Sequence, residues 1–261
     1  MSRKWRRWAW LVLMLVSAIG ARAGEIPANQ RLSGYAQMSP ELRRMQDDDT
    51  ANPGMLWVAD GEAIWQRKDG SAGKSCADCH GDASHSMKGV AARYPAFDQT
   101  LGRPIDLEGR INNCRTEHQK AAPLAFESKA LLSLTAYIAR QSKGLPISPA
   151  ENAATAPFIA AGREIFRRRQ GQLNLSCAQC HDDNWSRKLG GATIPQAQPT
   201  GYPLYRLEWQ SLGSLQRRLR NCLIGMRAEP YAYGAAEMID LELFLAWRAR
   251  GLTLDAPAVR P

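Results

Sequence analysis

Histidine is scarce in this chain, with four among 261 residues, and cysteine is nearly as rare at six. Imidazole and thiol chemistry is therefore confined to a few positions. Long apolar runs are also missing beyond residue 19. The one such run, Trp8 to Ile19, is too short to cross about 30 Å of hydrocarbon, so no membrane span is expected in the mature chain. No stretch interleaves basic and aromatic residues in the manner of a nucleic-acid site, and nucleic acid is not an expected ligand.

What stands at the start is an address. Arg3, Lys4, Arg6 and Arg7 precede the apolar run, and Ala21-Arg22-Ala23 follows it before Gly24. That is the layout of a secretion signal cleaved after Ala23, so residues 1–23 are expected to be removed and the chain exported. The segment carries five basic and no acidic residues, and its loss takes the formal charge from +9 to +4. Such a balance suits anionic ligands without demanding them. The roughly 238 residues left are enough for one large domain or two small ones.

Comparison of the chain with itself favours two. Gly61-Glu-Ala-Ile-Trp65 precedes Cys76-Ala-Asp-Cys79-His80, and 101 residues on Gly162-Arg-Glu-Ile-Phe166 precedes Cys177-Ala-Gln-Cys180-His181. Cys114 in RINNCR answers Cys222 in LRNCLIGMR at an offset of 108, and the segments ending in Gly144 and Gly251 answer each other at 107. Leu131, Leu134 and Ile138, then Leu241 and Leu245, recur at helical spacing before those glycines. The expected division is an N-terminal arm at 24–55, a first domain at 56–147, a linker at 148–157 and a second domain at 158–261. The arm, with its polar run Asp47 to Gly54, reads as extended, and no chemistry attaches to it.

C-x-x-C-H attaches haem c: two thiols two residues apart add to the vinyl groups while the histidine reaches the iron. Zinc ribbons place their C-x-x-C pairs about 15 to 20 residues apart, far from the 101 found here. A thioredoxin-type dithiol needs neither the histidine nor the duplication. Two covalently bound haems c are expected, on Cys76 and Cys79 and on Cys177 and Cys180, with His80 and His181 as axial ligands. The corresponding fold class is all-α, two tandem class I cytochrome c-like domains related by duplication.

Cys114 and Cys222 are left over. In an oxidising compartment a disulfide between them is the ordinary outcome. Each, however, follows its own motif histidine by 34 or 41 residues, where a sixth iron ligand would come from, and a thiolate on each iron is the favoured alternative. Met87, Met226 and Met238 are the methionines to weigh; Met226 lies near Cys222, but the first copy has no methionine there, and Met87 follows His80 too closely. His85 and His118 read as surface residues. Thiolate lowers an iron's potential where methionine raises it, which points to chemistry at the haem and away from simple relay. Arg217, Arg218, Arg220 and Arg227 surround Cys222. They would favour its thiolate and hold a small oxyanion, or else form a solvated face or pair with haem propionates.

The two haem motifs, the later cysteines in INNCR and RNCLIGMR, and Arg218-x-x-x-Cys222 followed by MRAEPY together resemble the SoxA family, the dihaem subunits of bacterial thiosulfate-oxidising SoxAX cytochromes. The resemblance covers nearly all of the mature chain. It implies His/Cys ligation at both haems (His80 with Cys114, His181 with Cys222), catalysis at the second, a persulfide or thiosulfonate on Cys222, and Arg218 holding the substrate anion. It implies an L-cysteine S-thiosulfotransferase of the periplasm that joins thiosulfate to a cysteine of a SoxYZ-like carrier. The electrons would pass to a SoxX-like monohaem partner in a heterodimer and on to a small cytochrome c. The alternative is a dihaem electron-transfer cytochrome without bond-forming activity.

Overall fold

In the computed structural model, which describes residues 26–261, a helix α1 (Pro40–Asp47) precedes two similar units. The first runs α2 (Gly54–Gln66), α3 (Cys76–His80), α4 (Ala83–Ser86), a hairpin β1 (Ala96–Asp98) and β2 (Arg103–Ile105), α5 (Leu107–Cys114) and α6 (Lys129–Arg140). The second runs α7 (Ala156–Arg167), α8 (Cys177–His181), a small hairpin β3 (Lys188–Leu189) and β4 (Ala192–Thr193), the hairpin β5 (Leu204–Arg206) and β6 (Ser211–Gly213), α9 (Leu215–Gly225) and α10 (Ala236–Arg248). A last strand β7 (Ala258–Arg260) runs parallel to β5. The expected signal segment, residues 1–23, lies outside the described residues.

Local sequence explains why the motif cysteines start helices. Ser75 caps α3 by accepting from the Asp78 amide while the Asp78 carboxylate accepts from the Ser75 amide, and Ser176 with Gln179 does the same for α8. Spacing of three then turns both cysteines of each pair to one face. The closing helices α6 and α10 are buried over most of their circumference, from Leu131 to Ala139 and from Met238 to Arg248. Each is crossed by the opening helix of its own unit at a glycine. A Cβ on Gly61 would collide with the Ser133 carbonyl oxygen, and one on Gly162 with that of Asp240. After the closing helices the chain reverses at Gly144 and Gly251, with φ of +86° and +85°, as helix-stop glycines should.

Two expectations need correction. The fold is not purely helical, because three small sheets join the helices. Their strands are two or three residues long, too short to show alternation in sequence. The described part of segment 24–55 is no extended arm either, since it folds back on the C-terminus. The buried Gln46 donates to Asp255 (3.1 Å) and accepts from the Val259 amide (3.1 Å), while Asn52 Nδ2 donates to the Pro257 carbonyl (3.0 Å). A short polar run looked like a linker because its partners lie about two hundred residues away.

The units exchange hairpins: β2 packs on α10, and β6 packs on α2. Tyr205 and Leu212 thereby enter the first unit's core, with Tyr205 5.8 Å from Trp57. Between the units a cleft carries Asp106, Glu108 and Glu242 on its wall. Gln216 Nε2 donates to Asp106 (2.8 Å) and Glu242 (3.4 Å). Burial raises all three carboxyls, Glu108 to about 8, helped there by the Asp106 charge.

The folded chain therefore keeps protons here that the unfolded chain has lost. Stability follows the difference in bound protons, so it is greatest below the ordinary glutamate range and falls as pH rises toward 8. Thermal unfolding between pH 5 and 9 should show this decline, and Glu108→Gln should flatten it. A variant with the same slope as the parent would exclude Glu108 as its source.

Candidate functional site

In the second unit α8 and α9 border a cavity lined by Cys177, His181 and Cys222 among apolar side chains such as Phe166, Leu219 and Leu245. Helix α9 starts at Ser214, whose hydroxyl accepts from the Arg217 amide at 3.1 Å. Its turns place Leu219, Cys222, Leu223 and Met226 along the cavity. The walls suit a flat apolar macrocycle.

The histidine suits an iron. His181 Nδ1 lies 2.7 Å from the Pro195 carbonyl oxygen, which can only accept, so the ring keeps its proton there and leaves Nε2 with a free lone pair. Burial, reinforced by Arg218 and Arg248, lowers the His181 pKa against the opposing pull of Pro195, and the ring is a neutral donor. Arg248 holds this arrangement. It bonds Asp182 at 2.7 Å, with both side chains only 4% exposed, stacks on Phe166 and donates to the Gln196 carbonyl (3.3 Å).

Burial, then the nearby Cys222, pushes Cys177 up to about 12, a neutral thiol suited to thioether formation. In the first unit burial, then Cys114, pushes Cys76 up to about 11. Cys114 and Cys222 thus each stand beside their own motif and not beside each other, and the structure does not join them in a disulfide. His80 is solvent-exposed at the end of α3, 5.7 Å from Trp65, whereas His181 is enclosed. Met226 lines the second cavity as well, while Met238 is buried on α10 and Met87 packs against the first core. His85 and His118 are exposed, as expected.

The arginines differ. Arg217 stacks on Trp209 (4.2 Å) and lies 3.9 Å from Glu127; Arg220 stacks on Tyr233 (4.6 Å) and donates to the Tyr231 carbonyl. Arg218, one turn before Cys222, instead acts on His181, on Tyr202 and on Arg206. Burial pushes the Tyr202 phenol up to about 12 against the pull of Arg218, so it stays a donor. The site therefore sets a thiol in the wall of an apolar cavity with a cation one helical turn before it. Tyr202, Arg206, Pro195 and Arg248 were not singled out from sequence. Tyr202 and Arg206 left a trace there as the counterparts of Tyr94 and Asp98 in the repeat.

Comparison with known proteins agrees with this geometry. The SoxA/TsdA cytochrome c domain matches residues 60–147 and 161–254. The L-cysteine S-thiosulfotransferase subunit SoxA of Pseudaminobacter salicylatoxidans is 40% identical over 235 residues, covering 90% of this chain and 82% of that one. The subunit of the same name from Rhodovulum sulfidophilum is 36% identical, with 87% and 79% covered. The crystal structure of SoxXA from P. pantotrophus matches with a TM-score of 0.85 at 32% identity, over 88% of this chain and 87% of its counterpart. The cytochrome c domain implies haem c, which the His181–Pro195 pair and the apolar cavity can accept. The chain belongs to the SoxA/TsdA cytochrome c family, among its SoxA members.

Proposed function

We propose that this chain is the catalytic subunit of a periplasmic L-cysteine S-thiosulfotransferase, coupling thiosulfate to a cysteine of a SoxYZ-like carrier. The observation that carries the reading is Cys222 on α9, set in the wall of the His181 cavity and one turn from Arg218. Cys76 and Cys79, and Cys177 and Cys180, would hold two haems c, with His80 and Cys114 available to one iron and His181 and Cys222 to the other. When bound, these groups supply one-electron acceptors of low potential. The tandem cytochrome c-like units, 56–147 and 158–261, are read as products of duplication, matched at the crossing glycines, the capping boxes and the hairpin register.

Arg218 orients the anion, and the Cys222 sulfur bonds to its outer sulfur. The thiol loses its proton and the new sulfur–sulfur bond releases two electrons, leaving an S-thiosulfonate on the cysteine. A carrier thiolate then attacks that sulfur–sulfur bond by thiol exchange, and the Cys222 thiolate leaves. A SoxX-like monohaem partner and a small cytochrome c take the electrons onward.

Mass spectrometry of the Cys222 peptide after thiosulfate treatment of the holoprotein, beside its low-temperature EPR spectrum, tests this. A sulfur-containing adduct with thiolate-type low-spin signals supports it. An unmodified peptide with methionine-type signals leaves a two-haem electron carrier.

A further inference from the structure

The hairpin and the helix after it match between the units at an offset of 108 residues. Tyr94-Pro95 corresponds to Tyr202-Pro203, β1–β2 to β5–β6 in identical register (Ala96↔Ile105, Leu204↔Gly213), and the helix caps Asp106 and Ser214 to each other. Cys114 then matches Cys222 and Arg110 matches Arg218. One position reverses its charge: the last residue of the first strand is Asp98 in one unit and Arg206 in the other.

In the first unit that residue neutralises the arginine beside the cysteine. Arg110 Nη2 lies 2.5 Å from Asp98 Oδ2, while the other Asp98 oxygen accepts from the Thr100 and Leu101 amides at 2.8 and 2.9 Å. The guanidinium is occupied. In the second unit a guanidinium stands where the carboxylate was, and among the described residues Arg218 has no carboxylate partner. The Arg206 side chain is only 15% exposed; its Nη2 meets the outward Glu208 at 2.9 Å, its plane lies over Trp209, and its Nε is buried with no partner. Burial and the Arg218 charge both oppose its own. Two cations set near each other repel unless an anion lies between them. Each offers a fork of donors to sulfonate oxygens.

We propose that Arg206 and Arg218 form a cradle selective for a doubly charged oxyanion beside Cys222, and that the Asp98–Arg110 pair shuts the equivalent place in the first unit. This rests on the sulfur-transfer reading and identifies a substrate-binding residue for it.

The test uses the haem-loaded complex with its monohaem partner, assayed for thiosulfate oxidation and for competitive inhibition by sulfate and by nitrate. Arg206→Gln should raise KM for thiosulfate about tenfold with kcat little changed, and should lower the preference for sulfate over nitrate by a similar factor. Arg206→Asp, which installs the first unit's arrangement, should raise KM about a hundredfold. Glu208→Gln, by removing a competing carboxylate, should lower KM. Should Arg206→Asp fail to fold, the glutamine variant and its inhibitor preference decide. KM and anion preference within twofold of the parent in Arg206→Gln, while Cys222→Ala is inactive, would overturn the cradle and leave sulfur transfer standing. Full activity in Cys222→Ala would overturn the reading beneath it.

Discussion

Exchanging Cys222 for alanine is expected to lower thiosulfate-dependent sulfur transfer by at least about a thousandfold, or ~4 kcal/mol on the barrier, while the protein stays folded. The expectation comes from the inventory of sulfur in the cavity. Cys177 is buried and reserved for the macrocycle, and Met226 has no S–H to lose, so neither can replace a half-buried thiol that has Arg218 at its side. The serine variant should fail equally, because an alkoxide oxygen cannot undergo the exchange that passes the sulfur on. Rates with thiosulfate and a carrier protein, together with unfolding curves, separate this loss from collapse of the fold. Residual transfer above a few per cent in either variant would mean that the sulfur is captured elsewhere.

The second large effect belongs to Gly162. Alanine there puts a methyl group into the Asp240 carbonyl on α10, a backbone atom in a largely buried helix that cannot turn aside as a side chain would. Overpacking of a well-filled core costs about 1–3 kcal/mol and more where backbone must move, so Gly162→Ala should lose at least ~3 kcal/mol and load the second haem poorly. Gly225→Ala provides the contrast. It has open space around it and no positive φ, and it ends helix α9, so the same substitution should be neutral or stabilising by about 0.4–1 kcal/mol. Thermal unfolding of the pair measures both, and equal melting temperatures would refute the crossing-point account.

The sequence by itself determined whatever depends on near neighbours. Ser75 and Ser176 cap the turns that carry the motif cysteines, spacing of three aligns each pair, and Gly144 and Gly251 end the closing helices; all of these are set within one or two turns of chain. The duplication was equally legible, since it needs only order and offset, and with it came the division of the six cysteines into four attachment thiols and two others. Arg218 was legible as a candidate because helical periodicity alone puts it one turn from Cys222.

Tertiary structure decided the rest, because those features join residues with no local relation. The Pro195 carbonyl that orients His181 is a backbone atom of a loop with no motif. Gln46 clamps the C-terminal strand across most of the chain's length, and Asp106 meets Glu242 through Gln216 only because the units swap hairpins. Arg206 shows the division most clearly. Its strand is three residues long, too short to announce itself, and a charge changes meaning with its neighbour: beside Asp98, Arg110 is an ion pair, whereas beside Arg206, Arg218 is a place for an anion. Residue types and spacing are properties of the chain, but the field at Cys222 is a sum over charges that only the fold of the second unit brings together.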